Sequence, residues 1–134
     1  MIENTPIREQ YLTIKHEYPG TILFFQMGDF YETFDEDAKL TSQELEIAYT
    51  SRELGKGKHI PMAGIPCHSL ESYLSKLIKN GHRVAICNQI GESTNKGLVE
   101  RQVVRVVSPG TLFEPSMLDI ARNNFLVSIV FEGE

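Results

Sequence analysis

Cysteine is scarce in this chain of 134 residues. Cys67 and Cys87 are the only two, and they form no short-spaced pair. No signal-peptide pattern precedes them, so a reducing, cytoplasmic setting is expected. Long apolar runs are also missing. The longest, Thr21–Phe25 and Phe125–Phe131, fall far short of the ~20 residues a membrane helix needs. No Walker A spacing is present: Gly55-Lys56-Gly57-Lys58 has suitable residue types but no Ser or Thr after the lysine. Neither a Gly-x-Ser-x-Gly elbow nor an HExxH zinc motif occurs. Cys67-His68 has no further ligands at metal-binding spacing, so both cysteines read as small buried hydrophobes. No internal repeat or low-complexity tract appears. Catalysis by this chain is therefore not expected, and no cofactor or metal site is expected within it.

What remains is an ordinary globular composition, 41% hydrophobic and 23% charged. The length fits one domain able to bury a core. Net charge is −5, but it is unevenly spread. Residues 29–46 hold seven acids against Lys39. Residues 52–105 hold nine Lys and Arg against four Glu, a local balance of +5. Such a stretch is either plain solvated surface or a basic face for a polyanion, with the acidic helix turned elsewhere.

Hydrophobic periodicity gives the elements. Thr5 as N-cap and Pro6 at the first position open a helix with an apolar stripe at Ile7, Tyr11, Ile14 and Tyr18, ended by Pro19-Gly20. Thr21–Met27 reads as a buried strand. A second helix is expected from Asp29, with Glu32 as a capping-box partner and Phe30, Phe34 and Ala38 on one stripe. Ile47–Ser51 and Ile60–Ile65 read as strands joined through Arg52–His59, with Pro61 pushing the second toward an edge or an irregular stretch. A third helix follows Pro66, bearing Leu70, Tyr73, Leu74, Leu77 and Ile78, and stops at Asn80-Gly81. Arg83–Ile90 and Gln102–Val107 are strands around the loop Gly91–Gly97. Pro109-Gly110 is a turn, Asp119–Arg122 a short helix, and Phe125–Phe131 a last strand. The fold class is α+β, a mixed β-sheet flanked by helices.

Five of the twelve aromatic residues (seven Phe plus five Tyr) lie between Phe24 and Phe34. Phe30 follows Gly28-Asp29, where the chain changes element. As core, Phe30 would be unremarkable. As an exposed ring beside a permissive glycine, it suits insertion between bases, which costs roughly a few kcal/mol of unstacking. Stacking returns roughly 1–3 kcal/mol, so weakly stacked sites are favoured. A carboxylate at Glu32 would repel phosphates, yet it becomes useful if it hydrogen-bonds a base edge, above all when protonated.

Several motifs then occur in a familiar order: Met27-Gly28-Asp29-Phe30-Tyr31-Glu32, Pro61-Met62-Ala63-Gly64-Ile65-Pro66, Val84-Ala85-Ile86-Cys87-Asn88-Gln89-Ile90, Val99-Glu100-Arg101-Gln102-Val103-Val104-Arg105 and Pro109-Gly110-Thr111. Together they resemble domain I, the N-terminal mismatch-binding domain, of the MutS family of DNA mismatch repair proteins. The resemblance covers roughly Thr5 to Leu112. It implies a mismatch-recognition domain over residues 1–113. Residues 114–134 would be a linker and the first strand of a connector domain, entered at Asn123-Asn124-Phe125-Leu126.

It further implies that Phe30 is a wedge entering from the minor groove and that Glu32 hydrogen-bonds the displaced base. Arg52, Met62 and Tyr31 would be further DNA contacts. Thr50-Ser51-Arg52 departs from the family's frequent Thr-Lys-Arg, and Gly91-Glu92-Ser93 from Gly-Asp-Pro. Full-length members are homodimers that use ATP and magnesium in other domains and meet a MutL-type partner. Two other readings compete: a protein-interaction domain of the same fold, and a small metal-dependent nuclease built on Asp29 and Glu32.

Overall fold

A computed structural model describes residues 5–54, 57–91 and 98–111. Helix α1 spans Pro6–His16. Strands β1 (Ile22–Met27) and β2 (Phe30–Phe34) follow, then helix α2 (Asp35–Leu45). Strands β3 (Thr50–Glu53) and β4 (His59–Pro66) lead through a single 3-10 turn into helix α3 (Leu70–Lys79). Strands β5 (Val84–Gln89) and β6 (Arg101–Val107) complete one sheet of order β3-β4-β2-β1-β5-β6. Only β1 and β5 run parallel. The mixed sheet and its helices bear out the α+β expectation.

The sheet divides two cores. Leu23 and Phe25 of β1 face α1 and pack with Tyr11, Phe34, Ala85 and Cys87. Ile22 and Phe24 face the other way, toward Leu45 of α2 and Leu74, Leu77 and Ile78 of α3. Because both faces are covered, β1 reads as an unbroken apolar run and not as an alternating one. Tyr11 sits edge-on to Phe25 and Phe34, with ring centroids 5.4 and 4.9 Å away, which ties α1 to the sheet. Thr5 caps α1 as expected: its Oγ1 accepts from the Arg8 N–H and donates to the Leu54 carbonyl.

Three expectations need correction. The second helix does not begin at Asp29. Gly28-Asp29 is a two-residue hairpin turn, and Phe30–Phe34 is β2, antiparallel to β1 with Met27 opposite Phe30. A four-residue spacing such as Phe30 to Phe34 puts two side chains on one face of a helix or of a strand, so that pair alone does not discriminate. The aromatic, β-branched content of the segment is compatible with the strand. Second, the strand expected at Ile47–Ser51 is β3, shifted to Thr50–Glu53. Third, Pro61 lies in β4, an interior strand. It is tolerated because β2 pairs only with Met62–Pro66, so Pro61 faces β3 alone, opposite Ser51.

Helix α3, its stop at Gly81 (φ +96°), β5 and β6 lie where the sequence put them. The loop from Gly91 is described only at Gly91 itself. The expected helix at Asp119–Arg122, the strand at Phe125–Phe131 and the domain boundary after residue 113 lie outside the described residues.

Candidate nucleic-acid interface

The β1–β2 hairpin carries the site. Gly28 takes φ +65° while Asp29 does not, the φ pattern of a type II′ turn with glycine at its first central position. The turn is braced twice. Gln26 Nε2 donates to the Gly28 carbonyl (3.3 Å), and the Cys67 N–H donates to the Asp29 carbonyl (2.8 Å). Gln26 is itself fixed, its Oε1 accepting from the Gln89 N–H at 2.7 Å.

Phe30 follows this turn directly and is 46% exposed, although it is a large aromatic in a strand. Beside it lies a hollow lined by Asp29, Pro66, Cys67 and His68. Glu32 is two residues on, so strand alternation sends it to the same face. That face is the α1 side, since Phe34 packs there with Tyr11. Unlike Phe30, Glu32 is buried. It sits opposite Phe25 on one side and Gly64 on the other. A Cβ on Gly64 would stand 3.2 Å from Glu32 Cγ and 3.3 Å from the Tyr31 carbonyl oxygen, so a larger residue there would press on the Glu32 side chain.

Two arginines act on Glu32 from opposite edges of the sheet, Arg52 by direct contact and Arg101 through its charge alone. Arg52, on edge strand β3, places Nη1 3.0 Å from Glu32 Oε2 and 3.3 Å from Oε1. Arg101, at the start of β6, stacks its guanidinium 4.6 Å over the Phe25 ring. It also donates to the Gln26 carbonyl (2.8 Å), Gln10 Oε1 (2.7 Å) and the Val99 carbonyl (3.3 Å). Burial raises the Glu32 pKa, and the positive charges of Arg52 and then Arg101 partly offset that. Burial likewise lowers the Arg101 pKa.

The other site residues expected from the sequence divide. Met62 packs at the rim of the α1-side core, opposite Phe34 and Thr50, and so shares the Phe30 face. Tyr31 does not. Alternation turns it to the opposite face, where it is buried with Phe24 and Ile65 and its hydroxyl donates to Asn88 Oδ1 (2.5 Å). Tyr31 is a core residue with a satisfied hydroxyl, contrary to its expected place among the DNA contacts.

Glu32 is no helix cap either, for α2 starts at Asp35 and its N-cap Phe34 has no side-chain cap bond. The basic stretch does not form one face: Arg52 and Arg101 flank Glu32, whereas Arg105 lies on the α3 side and bonds Glu71 at 2.7 Å. Sequence reasoning did not single out Arg101, Gln26 or Gly64 as site residues. A polar Gln inside an apolar strand and a Gly inside a strand were the available signals.

Among the described residues, no group of three or more His, Cys, Asp or Glu could hold a metal ion. None of their helices is long and apolar enough to cross a membrane.

The family model described as MutS domain I matches residues 5–116. The chain belongs to the MutS domain I family. It is 58% identical over 126 residues to the DNA mismatch repair protein MutS of Dehalococcoides mccartyi, covering 93% of this chain and 15% of that protein. It is 55% identical over 126 residues to the MutS of Desulforamulus reducens (93% of this chain, 14% of the relative). Against the MutS of Halothermothrix orenii the identity is 51% over 131 residues (97% and 15%). The chain thus spans about 15% of the length of these MutS relatives. The hairpin with Phe30 and Glu32 is the candidate contact surface of this MutS domain I.

Proposed function

We propose that this domain reads mispairs by inserting Phe30 from the minor groove while Glu32 hydrogen-bonds the displaced base. The observation that carries the reading is the exposed Phe30 ring, held beside a braced two-residue turn on the same sheet face as the buried Glu32. An apolar wedge must stand clear of its own core, and its backbone must not yield when it unstacks a step. Met62 and Arg52 flank the same surface and are its further contacts. The domain's role is binding and not catalysis.

Mismatched double-stranded DNA is the ligand. Homodimerisation, a MutL-type partner, and ATP with magnesium belong to the whole protein of which this is one domain. The unpaired thiols Cys67 and Cys87 suit a reducing cytoplasm.

Phe30→Ala in the intact protein tests the reading. At one fixed salt concentration it should lower the preference for mispaired over matched duplex by roughly fivefold or more, since the lost stacking is about 1–3 kcal/mol. An unchanged preference would mean that Phe30 is not the wedge and that the fold serves another contact.

A further inference from the structure

Glu32 has two cationic neighbours, and they are held very differently. Arg101 is pinned by three hydrogen bonds and by the Phe25 ring. Arg52 reaches Glu32 through Nη1 alone. Its side chain is 42% exposed, against 8% for Glu32, and it springs from an edge strand. One partner is therefore fixed and the other can swing away. A DNA phosphate arriving beside Phe30 would compete for the guanidinium that is free to move.

We infer that Arg52 is an exchangeable counter-ion: paired with Glu32 in the free protein, it transfers to a DNA phosphate as the duplex seats. This rests on the reading of Phe30 and Glu32 given above. The proton balance follows. Glu32 is left buried with Arg101 as its remaining cation and a phosphate nearby. Its carboxylate takes one proton from solvent, and the neutral acid donates to a base edge. Arg52 and Arg101 are the charged groups that face Glu32; β1 and β4 present Phe25 and Gly64.

Discrimination also follows. On a matched duplex Arg52 is drawn off just the same, but no displaced base edge is offered. The buried carboxyl then stays unpartnered, which is costly. Arg52 is in this sense a specificity residue that acts by withdrawing.

The test is calorimetric binding by the intact protein of a duplex with a single mispair, near pH 7.5, in buffers of different ionisation enthalpy. Binding is repeated across a salt series. Wild type should take up about one proton. Arg52→Met should take up less than wild type, because a buried Glu32 that has lost its counter-ion holds its proton more readily when free. Its salt slope should be shallower by about one. Glu32→Gln should also take up none, with the wild-type salt slope.

Full proton uptake in Arg52→Met would reduce Arg52 to an ordinary phosphate contact and overturn the exchange. An unchanged salt slope in that variant would overturn it too. Should Arg52→Met not fold, Glu32→Gln still decides: uptake that persists there is not on Glu32, and the proposal falls. Phe30→Ala run alongside separates the two failures. If it keeps the mispair preference, the underlying reading is at fault, whatever Arg52 does.

Discussion

Glu32 is a carboxylate in a place built for an uncharged group. It is buried, flanked by Phe25 and Gly64, and paired with Arg52. Its folded-state pKa lies above the ordinary value near 4.5. Between these two values the folded chain holds a proton that the unfolded chain has released. Folding stability therefore falls as pH rises through that window and is flat above it. Glu32→Gln should remove this slope. Denaturant unfolding of both forms from pH 4.5 to 8 checks it: wild type should lose stability relative to Gln as pH rises. Parallel curves would mean that the Arg52 pair fully offsets burial.

At the scale of the element, the β1–β2 hairpin is the device that sets Phe30 apart from its neighbours. Phe24, Phe25, Tyr31 and Phe34 are buried, and Phe30 alone of this aromatic group is exposed. The difference comes from position along the strand: Phe30 is paired with Met27 and Pro66 at the very end of β2. The turn requires positive φ at Gly28, where an added Cβ would meet nothing within 4 Å. Gly28→Ala should therefore cost backbone strain alone, about 1–3 kcal/mol, read as a lower urea midpoint. An unchanged midpoint would show that the turn can relax to another geometry. From sequence the segment resembles a helix start, because Asp29 and Glu32 carry a capping spacing and Phe30 to Phe34 fits either period. What excluded the helix was pairing on both sides, to β1 and to β4, which no local pattern reports.

At the scale of the molecule, charge opposes the function proposed for it. The chain carries −5, and its basic residues divide between the two faces of the sheet. Phosphate neutralisation supplies much of the affinity of DNA-binding proteins and falls steeply with salt. The isolated 134 residues should thus bind duplex DNA weakly, in a dissociation range of about 10⁻⁴–10⁻⁶ M at physiological salt, with little mismatch preference. Fluorescence anisotropy on mispaired and matched duplexes measures this. Tight, salt-resistant mismatch binding by the isolated chain would contradict it. The basic clamp would then have to come from within these residues and not from the rest of a longer protein.

The sequence by itself determined the class of the fold, helices α1 and α3, strands β1, β5 and β6, and the family. Each of these depends on local periodicity, on caps and breakers such as Thr5, Pro6 and Gly81, or on motifs in order. It also singled out Phe30 and Glu32. Only the tertiary structure decided that Phe30 is exposed and Tyr31 is not, because a strand's two faces are distinguished by what packs on each. Likewise, only three-dimensional pairing brought Arg52 and Arg101 to Glu32 from opposite edges of the sheet, 20 and 69 positions away in the chain. Charge interactions over such separations leave no periodic trace in a single sequence.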